Sequence, residues 1–96
     1  SHLGRHQEAL KLYEEALAFR KRVLPPEHPS IGSSMNNLAI SLARCGRFQQ
    51  ALALAQQALT FRKRVLPPGH RHISQTTRVI QFLSQNLSLS VSVSKL

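Results

Sequence analysis

The chain has 96 residues, 42% of them hydrophobic and 18% charged, which permits one small folded domain and excludes disordered and collagen-like compositions. Its acids are Glu8, Glu14, Glu15 and Glu27 with no Asp, and Cys45 is the single cysteine, so an aspartate-held triad, an Asp dyad, an EF-hand, a disulfide framework and a multi-cysteine zinc site are all excluded. The net charge is +9, and residues 28–96 hold eight Lys or Arg and no acid, a field that attracts acidic peptide, nucleic acid or anionic lipid.

From Arg5 to Leu24, the positions Ala9, Leu10, Tyr13, Ala16, Leu17, Val23 and Leu24 recur at helical spacing. The spacing predicts an amphipathic helix of about five turns, with Tyr13 and Phe19 in its packing. Pro25-Pro26 stops it, because proline lacks the amide donor and excludes the helical backbone from the residue before it. Pro29 then opens a shorter helix with the stripe Met35, Leu38, Ala39, Leu42 and Ala43, which Gly46 ends. Cys45, just before that glycine, reads as a small packed residue rather than a nucleophile.

The next segment repeats the first. Leu17-Ala18-Phe19-Arg20-Lys21-Arg22-Val23-Leu24-Pro25-Pro26 returns as Leu59-Thr60-Phe61-Arg62-Lys63-Arg64-Val65-Leu66-Pro67-Pro68, an offset of 42 residues. Gly4-Arg5-His6 matches Gly46-Arg47-Phe48, and His28 matches His70, at the same offset. A second short helix follows from Ile73 to about Leu87, with Gln81 where Ala39 stands and Ser84 where Leu42 stands, so it reads as a polar cap or a degenerate repeat. From Ser88 the chain alternates Ser with Leu or Val and has no partner strand. It divides into a helical domain over 1–87 and a Ser-rich flexible tail over 88–96.

Asn36-Asn37-Leu38-Ala39, Gly46-Arg47-Phe48-Gln49-Gln50-Ala51-Leu52, Gln57-Ala58-Leu59 and Arg62-Lys63-Arg64-Val65-Leu66-Pro67-Pro68-Gly69-His70 together resemble one complete tetratricopeptide repeat, in the 42-residue variety of kinesin light chains. The resemblance covers roughly residues 4–80. It implies an all-α solenoid segment of antiparallel helix pairs, called A and B, here in the order B-A-B-A: one full repeat flanked by two halves. Ala39, Ala51 and Ala58 are the small residues that close helix approach requires.

The same resemblance implies a non-catalytic protein-protein interaction scaffold with a short concave peptide-binding face. On that face it places Ser33, Asn36, Asn37, Ile40 and Arg44 of the first short helix and Gln75, Arg78, Val79 and Phe82 of the second. Asn37 can donate to and accept from a peptide backbone, and Arg44 or Arg78 can pair with an acidic side chain, so the partner is a protein or peptide, acidic in character. The two half repeats imply self-association through Leu10, Tyr13, Leu17, Ile73 and Ile80, with residues 73–87 of one chain on residues 5–24 of another.

The alternative is a basic nucleic-acid or anionic-surface binding module. Against nucleic acid stand the absence of Trp and of any recognised motif. The clusters Arg20-Lys21-Arg22 and Arg62-Lys63-Arg64 lie in last helical turns, where the macrodipole favours cations. His28, His70 and His72 fall in turns and helix starts, with Glu27 the one carboxylate near them in sequence and no cysteine, so no metal or other cofactor is expected. No signal peptide or membrane span is visible, giving an intracellular, cytoplasmic expectation. Ser94-Lys95-Leu96 resembles the C-terminal peroxisomal targeting tripeptide, which implies an import receptor and a peroxisome-like organelle where Leu96 is the native end.

Overall fold

A computed structural model describes residues 2–94, with side chains described over 4–88. Four helices follow one another: α1 (His2–Val23), α2 (Pro29–Arg44), α3 (Phe48–Val65) and α4 (Arg71–Ser94). The order long, short, long is the one the periodicity predicts. Contacts run between sequential helices, α1 with α2, α2 with α3 and α3 with α4, and the two short-helix positions, α2 and α4, also touch. That is the one-dimensional stacking of a solenoid, in which each element leans on its neighbours.

The turns are built twice from the same chemistry. After α1, the Leu24 amide still reaches Arg20 O at 2.9 Å, and the prolines then force the chain out; His28 N donates to Pro25 O at 3.0 Å. His28 caps α2, its Nδ1 accepting from Ser30 N at 3.1 Å, and Pro29 occupies a first-turn position where its missing amide costs nothing. In the copy, Leu66 N reaches Arg62 O at 2.9 Å and His70 Nδ1 accepts from His72 N at 3.0 Å. Gly46, at φ 79°, closes α2 in a Schellman arrangement: its amide donates to Ala43 O and that of Arg47 to Leu42 O, both at 2.9 Å.

The core lies along α2 and α3. Ala39, Ala51, Ala55 and Ala58 are fully buried, and Gly32 sits so close to α3 that an added Cβ would meet Phe61 Cδ1 at 3.0 Å and Arg62 Cγ at 3.1 Å. Small residues on both helices let the axes approach, and Ile31, Met35, Leu38, Leu42, Phe61 and Leu83 fill the space around them. Cys45 packs at the edge of this core.

Two expectations require correction. The helix expected to end near Leu87 continues to Ser94, so residues 88–94 are helical rather than a flexible tail. No Gly or Pro interrupts 71–94, and extending an established helix adds a hydrogen bond for each residue fixed, whereas a lone strand has no ladder to join. Lys95 and Leu96 of the expected targeting tripeptide lie outside the described residues. Secondly, Tyr13 and Phe19 do not join the packing of α1: Phe19 is 54% exposed and Tyr13 is also open to solvent, because α1 packs against α2 alone.

Candidate functional site

The basic triplets separate into buried and exposed members. Arg62, the first residue of the second triplet, is 2% exposed and lies among three helices. Its Nη1 donates to His72 O (2.9 Å), Gln75 Oε1 (3.0 Å) and Thr76 Oγ1 (2.9 Å) of α4, and its Nη2 to Ser33 Oγ (3.3 Å) of α2. Thr76 in turn donates to Asn36 Oδ1 at 3.0 Å, tying α4 to α2. Burial lowers the Arg62 pKa from its ordinary value, and no carboxylate faces it; Nε has no partner among the described residues. Arg20 repeats the device 42 residues earlier, its Nη1 donating to Ser30 O at 3.1 Å and Ser34 Oγ at 2.9 Å. All six basic residues lie in last helical turns, as expected, and these two arginines serve in addition as interhelical clasps.

The clasp also engages three residues expected on the peptide face. Asn36 is 1% exposed and its Oδ1 is taken by Thr76, so it serves the α2–α4 junction instead of an open face. Ser33 is half-buried and accepts from Arg62, and Gln75, though exposed, does the same. Asn37 stays exposed on α2.

The remaining expected residues converge. Ile40 and Arg44 of α2 and Arg78 and Phe82 of α4 line one groove of about 500 Å³, together with Val79. Ala43, Phe48 and Leu83, which the sequence had not assigned to the site, complete its walls. Phe48 carried a signal: it stands where the first copy has His6, so the aromatic ring is specific to the repeat that faces α4. The walls are apolar, Phe82 is 57% exposed, and Arg44 and Arg78 are exposed at the rim. Neither arginine has a side-chain partner among the described residues, whereas Arg64 is paired with Glu27 at 3.5 Å. An apolar trough with two unneutralised guanidinium groups can bury an apolar side chain and pair with carboxylates beside it.

The residues expected to mediate self-association are mostly committed within the chain. Leu10 and Leu17 are buried in the core between α1 and α2, and Ile80 packs against the same core; Ile73 is half-buried. Tyr13 alone of the five is exposed. Leu10 and Leu17 lie on the face of α1 that turns towards α2, so the open face is a different one.

The histidines serve the turns. His28 and His70 cap helices, and the His70 and His72 rings meet edge to face with centroids 4.7 Å apart. His72 has a lowered pKa, chiefly through burial, then through the charge of Arg62 and the neighbouring His70 and Arg71. No cluster of three His, Cys, Asp or Glu side chains capable of holding a metal occurs among the described residues. No described helix is long and apolar enough to cross a membrane.

A family model described as Tetratricopeptide repeat matches residues 1–64, two thirds of the chain. Among solved structures, the crystal structure of kinesin light chain-type, nearly identical TPR-like repeats from Podospora anserina superposes with a TM-score of 0.82 at 27% identity, covering 90% of this chain and 41% of that one. The chain therefore spans less than half the length of the solved protein it matches. No curated protein gives a significant match.

Proposed function

The chain belongs to the tetratricopeptide repeat family, and on that premise we propose that it is a non-catalytic protein-protein interaction scaffold whose groove between α2 and α4 takes an acidic peptide segment carrying a large apolar side chain. The observation that carries this reading is the pair Arg44 and Arg78, exposed and unpaired, at the rim of a trough walled by Ile40, Val79, Phe82 and Leu83. The apolar side chain supplies the desolvation term and the carboxylates select the register. Two short helices make a short groove, so affinity is expected in the micromolar range or weaker, about −8 kcal/mol at most.

Fluorescence anisotropy tests it with labelled peptides of one central Phe or Leu flanked by Glu, against the same peptides with Gln or Lys in place of Glu. Micromolar or weaker binding by the acidic series alone, lost on Arg44→Glu or Arg78→Glu, supports the reading. Equal binding of all three series, or binding indifferent to both substitutions, rejects it. Import through Ser94-Lys95-Leu96, where Leu96 is the native end, is a separate proposal, checked by whether removing Leu96 changes the location of the protein.

A further inference from the structure

The two copies of the repeat act as internal controls for each other. Phe61 of α3 lies against α2 at 7% exposure, while Phe19, its counterpart 42 residues earlier, is 54% exposed. Among the described helices α1 touches α2 alone, so none covers the face of α1 equivalent to the α2-facing side of α3. Along it run Ala9, Leu12, Ala16, Phe19 and Val23, spaced three, four, three, four, which is the a and d spacing of a coiled-coil seam. Leu12, Phe19 and Val23 are each more than half exposed, with the small alanines between them. Single exposed apolar residues are ordinary; three large ones in one helical seam form a docking face.

We propose that this seam pairs with the same seam of a second copy of the chain, antiparallel about a two-fold axis. The surface of α4 does not suit the role. Gly32, Met35, Ala39 and Leu42 of α2, which turn towards α3, correspond in α4 to Ser74, Thr77, Gln81 and Ser84. Three of these are exposed and all are polar, so seating Phe19 on them would strip water from groups given no new partner. Pairing of α4 on α1 from head to tail is therefore the poorer match.

Charge chooses the order. Three of the four acids, Glu8, Glu14 and Glu15, lie in α1 before Arg20, Lys21 and Arg22. With Leu12 set opposite Val23 of the second copy and Ala16 opposite Phe19, antiparallel order places Glu15 beside Arg22 of the second copy, and the two-fold axis repeats that pair. Arg22 already stands at the seam's edge, its guanidinium 5.4 Å from the Phe19 ring centroid. In-register parallel order would instead bring Glu15 towards Arg20 of the second copy, whose guanidinium is already engaged by Ser30 and Ser34. Two copies approaching each other through residues 28–96, which hold no acid, would repel. A seam of roughly 21 Å gives an interface below about 1,200 Å², so the dimer is weak and reversible.

Sedimentation equilibrium at low salt, over a concentration series, reads the association directly. The mass should rise from 10.8 kDa towards twice that value. Phe19→Glu and Glu15→Arg should each raise the dissociation constant by about tenfold or more, and Glu15→Arg/Arg22→Glu should recover most of the loss that Glu15→Arg causes. Circular dichroism checks that each variant stays folded, and Glu15 and Phe19 are exposed enough for that. A monomer at every concentration overturns the proposal, as does a dimer indifferent to Phe19→Glu or a charge swap no better than its single parent. The groove lies on α2 and α4, so Phe19→Glu should leave acidic-peptide binding unchanged, and the two readings stand or fall separately.

Discussion

Replacing Arg62 by Ala tests whether the clasp holds the solenoid together. The side chain is buried, makes four hydrogen bonds to α2 and α4, and reaches across three helices. Truncation leaves a cavity where the aliphatic stem lay, worth about 2 kcal/mol, and removes charge-assisted bonds whose loss is partly offset by releasing a buried charge, a net of about 1 kcal/mol more. Arg20→Ala removes the half-buried version, with two bonds to Ser30 and Ser34, and should cost about 1 kcal/mol. The expected order is therefore Arg62→Ala about 3 kcal/mol and Arg20→Ala about a third of that. In a domain of this size a loss of about 3 kcal/mol lowers Tm by roughly 12–24 °C. Urea unfolding followed by circular dichroism, with a Thr76→Val background to close a double-mutant cycle, measures both terms. If Arg62→Ala costs no more than Arg20→Ala, or if Arg62 and Thr76 show no coupling, the clasp does not carry the α3–α4 junction.

Gly32→Ala should destabilise the chain despite alanine's better helix propensity of about 1 kcal/mol, because its Cβ would meet Phe61 and Arg62 at 3.0–3.1 Å; a net cost of about 1–2 kcal/mol in urea is expected. Stability should fall as pH drops below about 6.5, because the unfolded state protonates His72 there while the folded state, with its lowered pKa, resists; His72→Gln should flatten that part of the profile of unfolding midpoints against pH. Binding to oligonucleotides, which a net charge of +9 permits, should vanish between about 50 and 200 mM salt. Retention of sequence-selective binding at the higher salt, read by anisotropy, would favour the nucleic-acid module over the peptide scaffold. Phe82→Ala should leave the unfolding midpoint within about 0.5 kcal/mol of the parent, since the ring is exposed, yet weaken acidic-peptide binding about tenfold.

The elements were legible because their causes are local. Apolar spacing, two Pro-Pro stops, Pro29 at a first turn and Gly46 at a left-handed cap each act within a turn or two of chain, so α1 to α3 and their connections follow from the letters. The 42-residue repeat carried the family assignment and the convergence of Ile40, Arg44, Arg78 and Phe82 on one groove. The end of α4 was misread because serine alternating with Leu and Val looks like a strand when its neighbours are ignored, whereas a helix already formed propagates through it.

Burial belonged to the tertiary structure. Arg62 and Lys63 are adjacent and alike in charge, yet one is enclosed and the other exposed, because successive helical residues point about 100° apart and α4 lies on one side. Asn36 and Asn37 divide in the same way between a clasp and open solvent. Phe19 and Phe61 sit in nearly identical local sequence, Phe-Arg-Lys-Arg-Val-Leu-Pro-Pro, and differ almost completely in exposure. What a residue's own segment prefers is written in the segment; what covers it depends on the helix that packs, or does not pack, alongside.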